Sequence, residues 1–285
     1  MASQGCIYVN GEFTPPGEAR IAVMDHGLLY GDGLFETLRT YGGRPFRVAE
    51  HLARLEEGMR TLAFAGAPDE PTLRGLLERT LARAGLPEAY LRLTVTRGVG
   101  QRGLDPSGCS SPSIIVAALP LRTYPEAHYA EGVSAATLWR RHREARPPPS
   151  IKTTSYQGAV LARAEVARRG VQEGLYLDEA GNVTEGTVSN VFCLLDGRLV
   201  TPPAAVCLPG ITRAEVLSLA REAGLSVEER ELRAEELLAA TELFVTSSLA
   251  ELLPVVRLDG RQVGEGTPGP VQRSLLEAYR ARTRG

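Results

Sequence analysis

Lysine is almost missing from this 285-residue chain: Lys152 stands alone among 32 basic residues, and the other 31 are arginine. Either residue supplies a solvated surface charge. Only lysine supplies a primary amine that can deprotonate and form an imine, because a guanidinium keeps its proton. Lys152 therefore has two readings, a surface survivor of a compositional bias or an amine kept for covalent chemistry. Long apolar runs are also lacking. With no stretch of about 18 apolar residues, no membrane span is expected. The opening MASQGCIYVNGEF has neither a basic n-region nor a long apolar h-region, so no secretion signal is expected. Cysteine is scarce and scattered (Cys6, Cys109, Cys193, Cys207), with no C-x-x-C. That spacing supports neither a disulfide framework nor a zinc site and suits the free thiols of a cytoplasmic protein. The histidines (His26, His51, His128, His142) show no ligand spacing, so no metal is expected. Neither sign of charge is in excess: the formal net charge is −2, which gives no case for nucleic acid as a partner.

What is present is an ordinary globular composition, 43% apolar and 23% charged, in a chain long enough for two domains. CIYVN, a turn at Asn10-Gly11 and a return strand form a hairpin signal. Leu52, Leu55, Met59 and Leu62 fall at helical spacing within 49–64, and a second helix is expected over 70–84, stopped by Gly85 and Pro87. In YLRLTVTRG, Leu91, Leu93 and Val95 alternate with Arg92, Thr94 and Thr96, which puts Arg92 on the face opposite the leucines. SIIVAAL (113–119) reads as a buried strand, and 121–132 as a connection between domains. The second half opens with the strand GVSAATL, and Pro147-Pro148-Pro149 blocks helix just before Lys152. A helix over 156–169, paired strands EGLYLD and VSNVFCLL, a turn at Asp196-Gly197, a helix from Thr212 to Ala223, the strand ELFVTSS, a turn at Asp259-Gly260 and a final helix over 269–283 complete it. The fold class is α/β (α+β), with domains expected at 1–120 and 133–285, the second carrying Lys152.

Few segments carry chemistry on their own. GVGQRG (98–103) matches G-x-G-x-x-G, but the loop LDPSGCSSPS follows it where a dinucleotide site needs a helix. Thr212 and Glu215 have capping-box spacing after Gly210, which reads either as an ordinary cap or as a helix start offering N–H groups to a phosphate. Glu185, in VTEGTVSN, reads as a solvated turn residue between strands. Arg54 lies beside an apolar helix stripe and reads as a surface ion pair.

In combination these segments say more. The run YGDGLFETLR, HLARL, YLRLTVTRG, IKTTSYQG, VTEGTVSNVF, LPGITR, LFVTSSLAELLPV and DGRQVGEGTPGPV resembles the class IV aminotransferases, the fold-type IV pyridoxal-phosphate enzymes, over nearly the whole chain. The resemblance implies a two-domain, D-amino-acid-aminotransferase-like fold, a homodimer with interface active sites, and pyridoxal 5'-phosphate as cofactor. It implies that Lys152 holds the cofactor as a Schiff base and moves the Cα proton. Glu185 matches the partner of the pyridine nitrogen. Arg54, Ile211, Thr212, Ser247 and Ser248 match the phosphate contacts, Leu208 the residue packed on the ring, and Tyr156 a neighbour of its phenolic oxygen.

Substrate contacts implied by the resemblance are Tyr30, Phe35, Tyr90, Arg92 and Arg102. The carboxylate trap of D-amino-acid enzymes uses a Tyr, an Arg and a His; here Arg102 is kept, while Phe35 and Leu104 occupy the other two places. Two activities are weighed. One is transamination between an amino acid and a 2-oxo acid, of branched-chain or D-amino-acid type. The other is release of pyruvate from 4-amino-4-deoxychorismate, a lyase that usually has Asn where this chain has Ser247. A non-catalytic relative that binds the cofactor is a third, remote reading.

Overall fold

The structure, a computed structural model, describes residues 4–139 and 150–284. The Pro147-Pro148-Pro149 run and His142 lie outside the described residues. The chain divides into two compact units: Met1–Arg122 with Ile151–Tyr156, and Thr123–Ser150 with Gln157–Gly285.

The first unit contains β1 (Cys6–Val9), β2 (Glu12–Thr14), α1 (His26–Tyr30), β3 (Gly33–Tyr41), β4 (Arg44–Pro45), α2 (Val48–Thr61), α3 (Glu70–Ala84), β5 (Ala89–Thr96) and β6 (Ser113–Pro120). Among the described residues its strands make one sheet in the order β2-β1-β6-β5-β3-β4. The Asn10-Gly11 hairpin forms as expected, with both turn residues at positive φ, the conformation a two-residue turn needs to match strand twist. Helix α3 has the expected limits. Asp69 accepts from the Thr72 N–H at its start, and Gly85, at φ 62°, ends it. The leucine face of β5 is buried with Leu34 and Leu38 of β3 and Leu52 and Leu55 of α2 in one core. Fully burying each such side chain contributes about 1.5–3 kcal/mol. Tyr90 and Arg92 lie on the other face of β5, paired with Arg39 and Thr37 of β3.

Residues 151–156 depart from the expected domain division. The Lys152 segment pairs antiparallel with β3 through Leu34 and Thr153, and Ile151 enters the core of the first unit. Main-chain pairing, rather than position along the chain, assigns it there.

The second unit contains α4 (Glu126–Ala130), β7 (Val133–Trp139), α5 (Gln157–Arg168), β8 (Glu173–Leu177), β9 (Val183–Gly186), β10 (Asn190–Leu195), β11 (Arg198–Thr201), α6 (Ile211–Glu222), β12 (Ser226–Glu229), α7 (Ala234–Ala239), β13 (Glu242–Ser247), β14 (Glu251–Leu258), β15 (Arg261–Gln262) and α8 (Pro270–Arg284). Its sheet runs β12-β11-β10-β13-β14-β7-β8-β9, with β15 on β14. The Asp196-Gly197 and Asp259-Gly260 turns form as expected, again with positive φ at both residues. Pairing differs from expectation at one place. EGLYLD pairs with β9, whereas VSNVFCLL pairs with β11 and β13. Glu185 therefore stands in a strand and not on a turn. The loop 98–112 holds no α-helix, only the 3-10 turn Pro106–Gly108, and leads into β6, which leaves GVGQRG without the dinucleotide context. Among the described residues no helix is long and apolar enough to cross a membrane.

One glycine tests the packing of the first unit. Gly98 has φ 90°, and a Cβ built there would lie 2.0 Å from the Ser111 carbonyl oxygen. Gly98→Ala should destabilise the chain by about 2 kcal/mol or more. Gly42→Ala, also at positive φ but with nothing within 4 Å, should cost only about 1 kcal/mol. Equilibrium denaturation of both variants measures the difference, and equal losses would show that backbone conformation, not crowding, dominates at Gly98.

Candidate active site

In the first unit, β3 presents two different surfaces. Phe35 points away from the leucine core, toward Tyr156, Arg92 and Lys152. Its ring is met edge-on by Tyr156 at 5.0 Å between centroids. The Arg92 guanidinium lies 3.7 Å from the Phe35 centroid and the Lys152 Nζ 4.6 Å from it. Two cations on one ring form an electropositive surface. Among the described residues neither is paired with a carboxylate; Arg92 Nε donates to Thr94 Oγ1 at 3.3 Å and Lys152 Nζ to the Tyr156 hydroxyl at 3.1 Å. The backbone sets this geometry: the Phe35 N–H donates to the Lys152 carbonyl at 3.0 Å and the Thr154 N–H to the Gly33 carbonyl at 2.8 Å.

Glu36, next along β3, faces the helices. It is fully buried. Its Oε1 accepts from Arg54 Nε and its Oε2 from Arg54 Nη2, both at 2.7 Å, and Oε2 also accepts from His51 Nδ1 at 2.7 Å. Arg54 is thus not the surface ion pair one sequence reading allowed, because α2 turns it inward onto a buried carboxylate. Sequence reasoning missed Glu36 and His51. The available signal was a lone carboxylate between Leu34, Phe35 and Leu38 in a run that buries both faces.

Tyr30 and the loop of Arg102 form a separate group. The Tyr30 hydroxyl accepts from the Gly103 N–H at 3.0 Å, and its ring meets His26 edge-on at 4.9 Å. Arg102 is exposed, as is Leu104.

In the second unit, three separated segments meet around Leu208. The Glu185 carboxylate, on β9, accepts from the Leu208 N–H at 3.0 Å. Asn190, at the start of β10, donates to the Leu208 carbonyl at 2.8 Å. A Cβ at Gly210 would come within 2.0 Å of Asn190 Oδ1, so only glycine lets the loop lie this close. Asn190 is the third residue the sequence reading passed over; its signal was a polar residue heading an otherwise apolar strand.

Helix α6 begins at Ile211 with Gly210 as its N-cap and no side-chain cap. The expected capping box at Thr212 and Glu215 does not form, because Thr212 is already the second helical residue. Helix α8, by contrast, has its first N–H groups taken by Glu242, at 2.9 Å from Val271 N and 2.7 Å from Gln272 N. The start of α6 thus keeps donors directed outward, with the positive end of the helix dipole behind them. Ser247 and Ser248 leave β13 beside this region, since Thr246 pairs with Asn190. Ser247 Oγ accepts from the Ala250 N–H at 3.1 Å.

The cysteines offer no rival nucleophile. All four are free and buried, and burial pushes the thiols of Cys193 and Cys207 up to about 12 and about 11, so both stay protonated at neutral pH.

Comparison with known proteins bears directly on this arrangement. The family model for Amino-transferase class IV matches residues 33–258. The branched-chain-amino-acid aminotransferase of Escherichia coli K12 is 35% identical over 281 residues, covering 96% of this chain and 91% of its own. A solved structure of Escherichia coli branched-chain amino acid aminotransferase superposes with a TM-score of 0.92 at 34% identity, over 98% of this chain and 94% of that one. The branched-chain amino acid aminotransferase of T.th., solved with pyridoxamine 5'-phosphate, has a TM-score of 0.93 at 31% identity, over 99% and 95%.

Burial works to raise the Glu36 carboxyl, but the Arg54 guanidinium and the His51 hydrogen bond overcome it and draw the group from 4.5 down to about 2. A depressed carboxyl stabilises the fold fully above its unfolded value and loses that contribution as pH falls through the folded one. Unfolding free energies measured between pH 6 and pH 2 should therefore drop through this window. In Glu36→Gln the drop should be shallower, and an identical acid limb in the variant would contradict the assignment.

Proposed function

Because the chain belongs to the class IV aminotransferase family, we propose that it is a pyridoxal-phosphate-dependent aminotransferase moving the amino group of a branched-chain L-amino acid to a 2-oxo acid. The observation that carries this reading is the placement of the only lysine: its Nζ stands 3.1 Å from the Tyr156 hydroxyl, beside Phe35 and Arg92. A surface survivor of compositional bias needs no such setting.

The residues present fit the cofactor. When bound, pyridoxal 5'-phosphate supplies an electron-withdrawing ring that takes up the electrons released at an amino acid's Cα. Lys152 would be the covalent attachment point, and its amine the group that takes and returns the Cα proton. Tyr156, already bonded to that amine, would serve as a neighbour of the ring's phenolic oxygen. Glu185 keeps a proton on the pyridine nitrogen. The N–H groups of Ile211 and Thr212 at the uncapped start of α6 would take the phosphate, with Ser247 and Ser248, and Arg54 matches a further phosphate contact of the family. Leu208, held by Glu185 and Asn190, would pack on the ring.

Arg92 and the Lys152 side of Phe35 form the electropositive surface for the substrate carboxylate, with Tyr90, Tyr30 and Arg102 completing the substrate contacts. Phe35 and Leu104, in the positions where D-amino-acid enzymes place Tyr and His, favour an L donor. Similarity to named branched-chain aminotransferases favours transamination over the pyruvate-releasing lyase. The four buried free thiols accord with a reducing cytoplasm. A homodimer is supported by apolar side chains left on the surface of the first unit: Val23 is 72% exposed, Leu28 59% and Leu104 81%.

Two measurements test this reading. Holo-protein mixed with L-leucine, L-isoleucine or L-valine should lose the visible absorption of its lysine-bound cofactor and release the matching 2-oxo acid. D-amino acids should leave the spectrum unchanged. If no amino acid acts while 4-amino-4-deoxychorismate releases pyruvate, the lyase reading replaces this one. Lys152→Ala should abolish borohydride labelling and lower turnover by at least about 10³-fold; full turnover in that variant would end the reading.

A further inference from the structure

We infer that Glu36 is a positioning residue for the cofactor phosphate, acting through Arg54. The inference rests on the reading of Arg54 as a phosphate contact. It goes beyond that reading by assigning a function to a carboxylate that touches neither Lys152 nor Phe35's electropositive surface.

Glu36 lies on the face of β3 that buries Leu34 and Leu38 against Leu52, Leu55 and Met59. An ionised carboxylate there is costly to bury, and an apolar side chain of similar volume would pack at least as stably. The carboxylate is used completely. Its two oxygens close on Nε and Nη2 of one guanidinium, and His51 Nδ1 reaches Oε2, all at 2.7 Å. A fork closed on both nitrogens fixes the plane of the guanidinium as well as its position. His51 stands three residues before Arg54 on α2 and braces the same carboxylate from the neighbouring turn. An arginine held in this way loses little further rotamer freedom when it meets an anion, so the ordering precedes binding.

The test compares two aldehydes that react with the same lysine. Pyridoxal 5'-phosphate and pyridoxal differ only in the phosphate, so the ratio of their affinities isolates phosphate recognition from folding and from imine chemistry. Apo-protein of the full chain is titrated with each, read by the visible absorption of the lysine-bound species. Arg54→Ala should lower the ratio about tenfold or more. Glu36→Gln should lower it by a similar factor, and the double variant no further, because both changes remove one oriented donor. Glu36→Asp keeps the buried charge and the fold but cannot close on both nitrogens, and should give an intermediate ratio.

A lowered ratio in Arg54→Ala with an unchanged ratio in both Glu36 variants would overturn the inference and leave the reading of Arg54 intact. Equal weakening of both aldehydes in the Glu36 variants would make the residue purely structural, and would overturn it too. An unchanged ratio in Arg54→Ala would instead remove the phosphate reading of Arg54 itself.

Discussion

Pairing of residues 151–156 with β3 decides where the chain's single amine stands. A lysine on four methylenes has a wide reach and a large rotamer entropy, so its placement depends on what holds its Cα. Here the Phe35 N–H and the Lys152 carbonyl are bonded at 3.0 Å, and Thr154 N to Gly33 O at 2.8 Å. The Thr154 hydroxyl adds a bond to the Gly31 carbonyl at 2.8 Å. Gly33 allows this approach, since a Cβ there would come within 3.0 Å of Thr154 Oγ1. With the backbone fixed beside Phe35, the side chain extends along that ring and meets Tyr156, four residues on. The amine's surroundings thus follow from main-chain hydrogen bonds formed before any ligand arrives.

The same strand then separates two kinds of charge by alternation alone. Phe35 faces two cations that no carboxylate among the described residues pairs, whereas Glu36 faces a guanidinium and an imidazole that satisfy it. Shifting the register of β3 by one residue would exchange these surfaces, burying Phe35 among leucines and presenting Glu36 to Lys152. A carboxylate beside Lys152 would pair with its amine and with Arg92, taking up both cations of that surface. The apolar set Leu34 and Leu38, packed against α2, therefore fixes the chemistry of the opposite face as well as the stability of its own.

How much of this was legible in the sequence depends on whether a residue's role is local. The Asn10-Gly11 turn, the 70–84 helix with Gly85 behind it, and the alternation that turns Arg92 away from the leucines depend on neighbours a few positions off, and all three formed as expected. Lys152 stood out by scarcity as a candidate, because it alone among the basic residues can form an imine. Strand β3 was not legible, because Phe35 and Glu36 are both buried and break the alternation that marks a half-buried strand. Glu36 could not be understood without His51 and Arg54, and Glu185 read as a turn residue until β9 paired with β8. The capping box failed for a local reason that spacing could not reveal. Gly210, held against Asn190, starts α6 two residues early and makes Thr212 part of the helix.

That early start matters for what the second unit can bind. Leu208 is gripped at both ends of its main chain, its N–H by Glu185 and its carbonyl by Asn190. Three positions later α6 begins without a side-chain cap. One short loop therefore joins a carboxylate, an apolar side chain and a row of outward N–H groups, with Gly210 too close to Asn190 Oδ1 to accept any larger residue. An acid for a ring nitrogen, an apolar surface for a ring face and a positive helix end for a phosphate are the three things a phosphorylated pyridine requires. Had Thr212 served as the N-cap, its hydroxyl would have consumed a helix N–H that an anion needs. In the function proposed above, the missing capping box leaves those N–H groups for the phosphate, and glycine at position 210 lets the helix start beside Asn190.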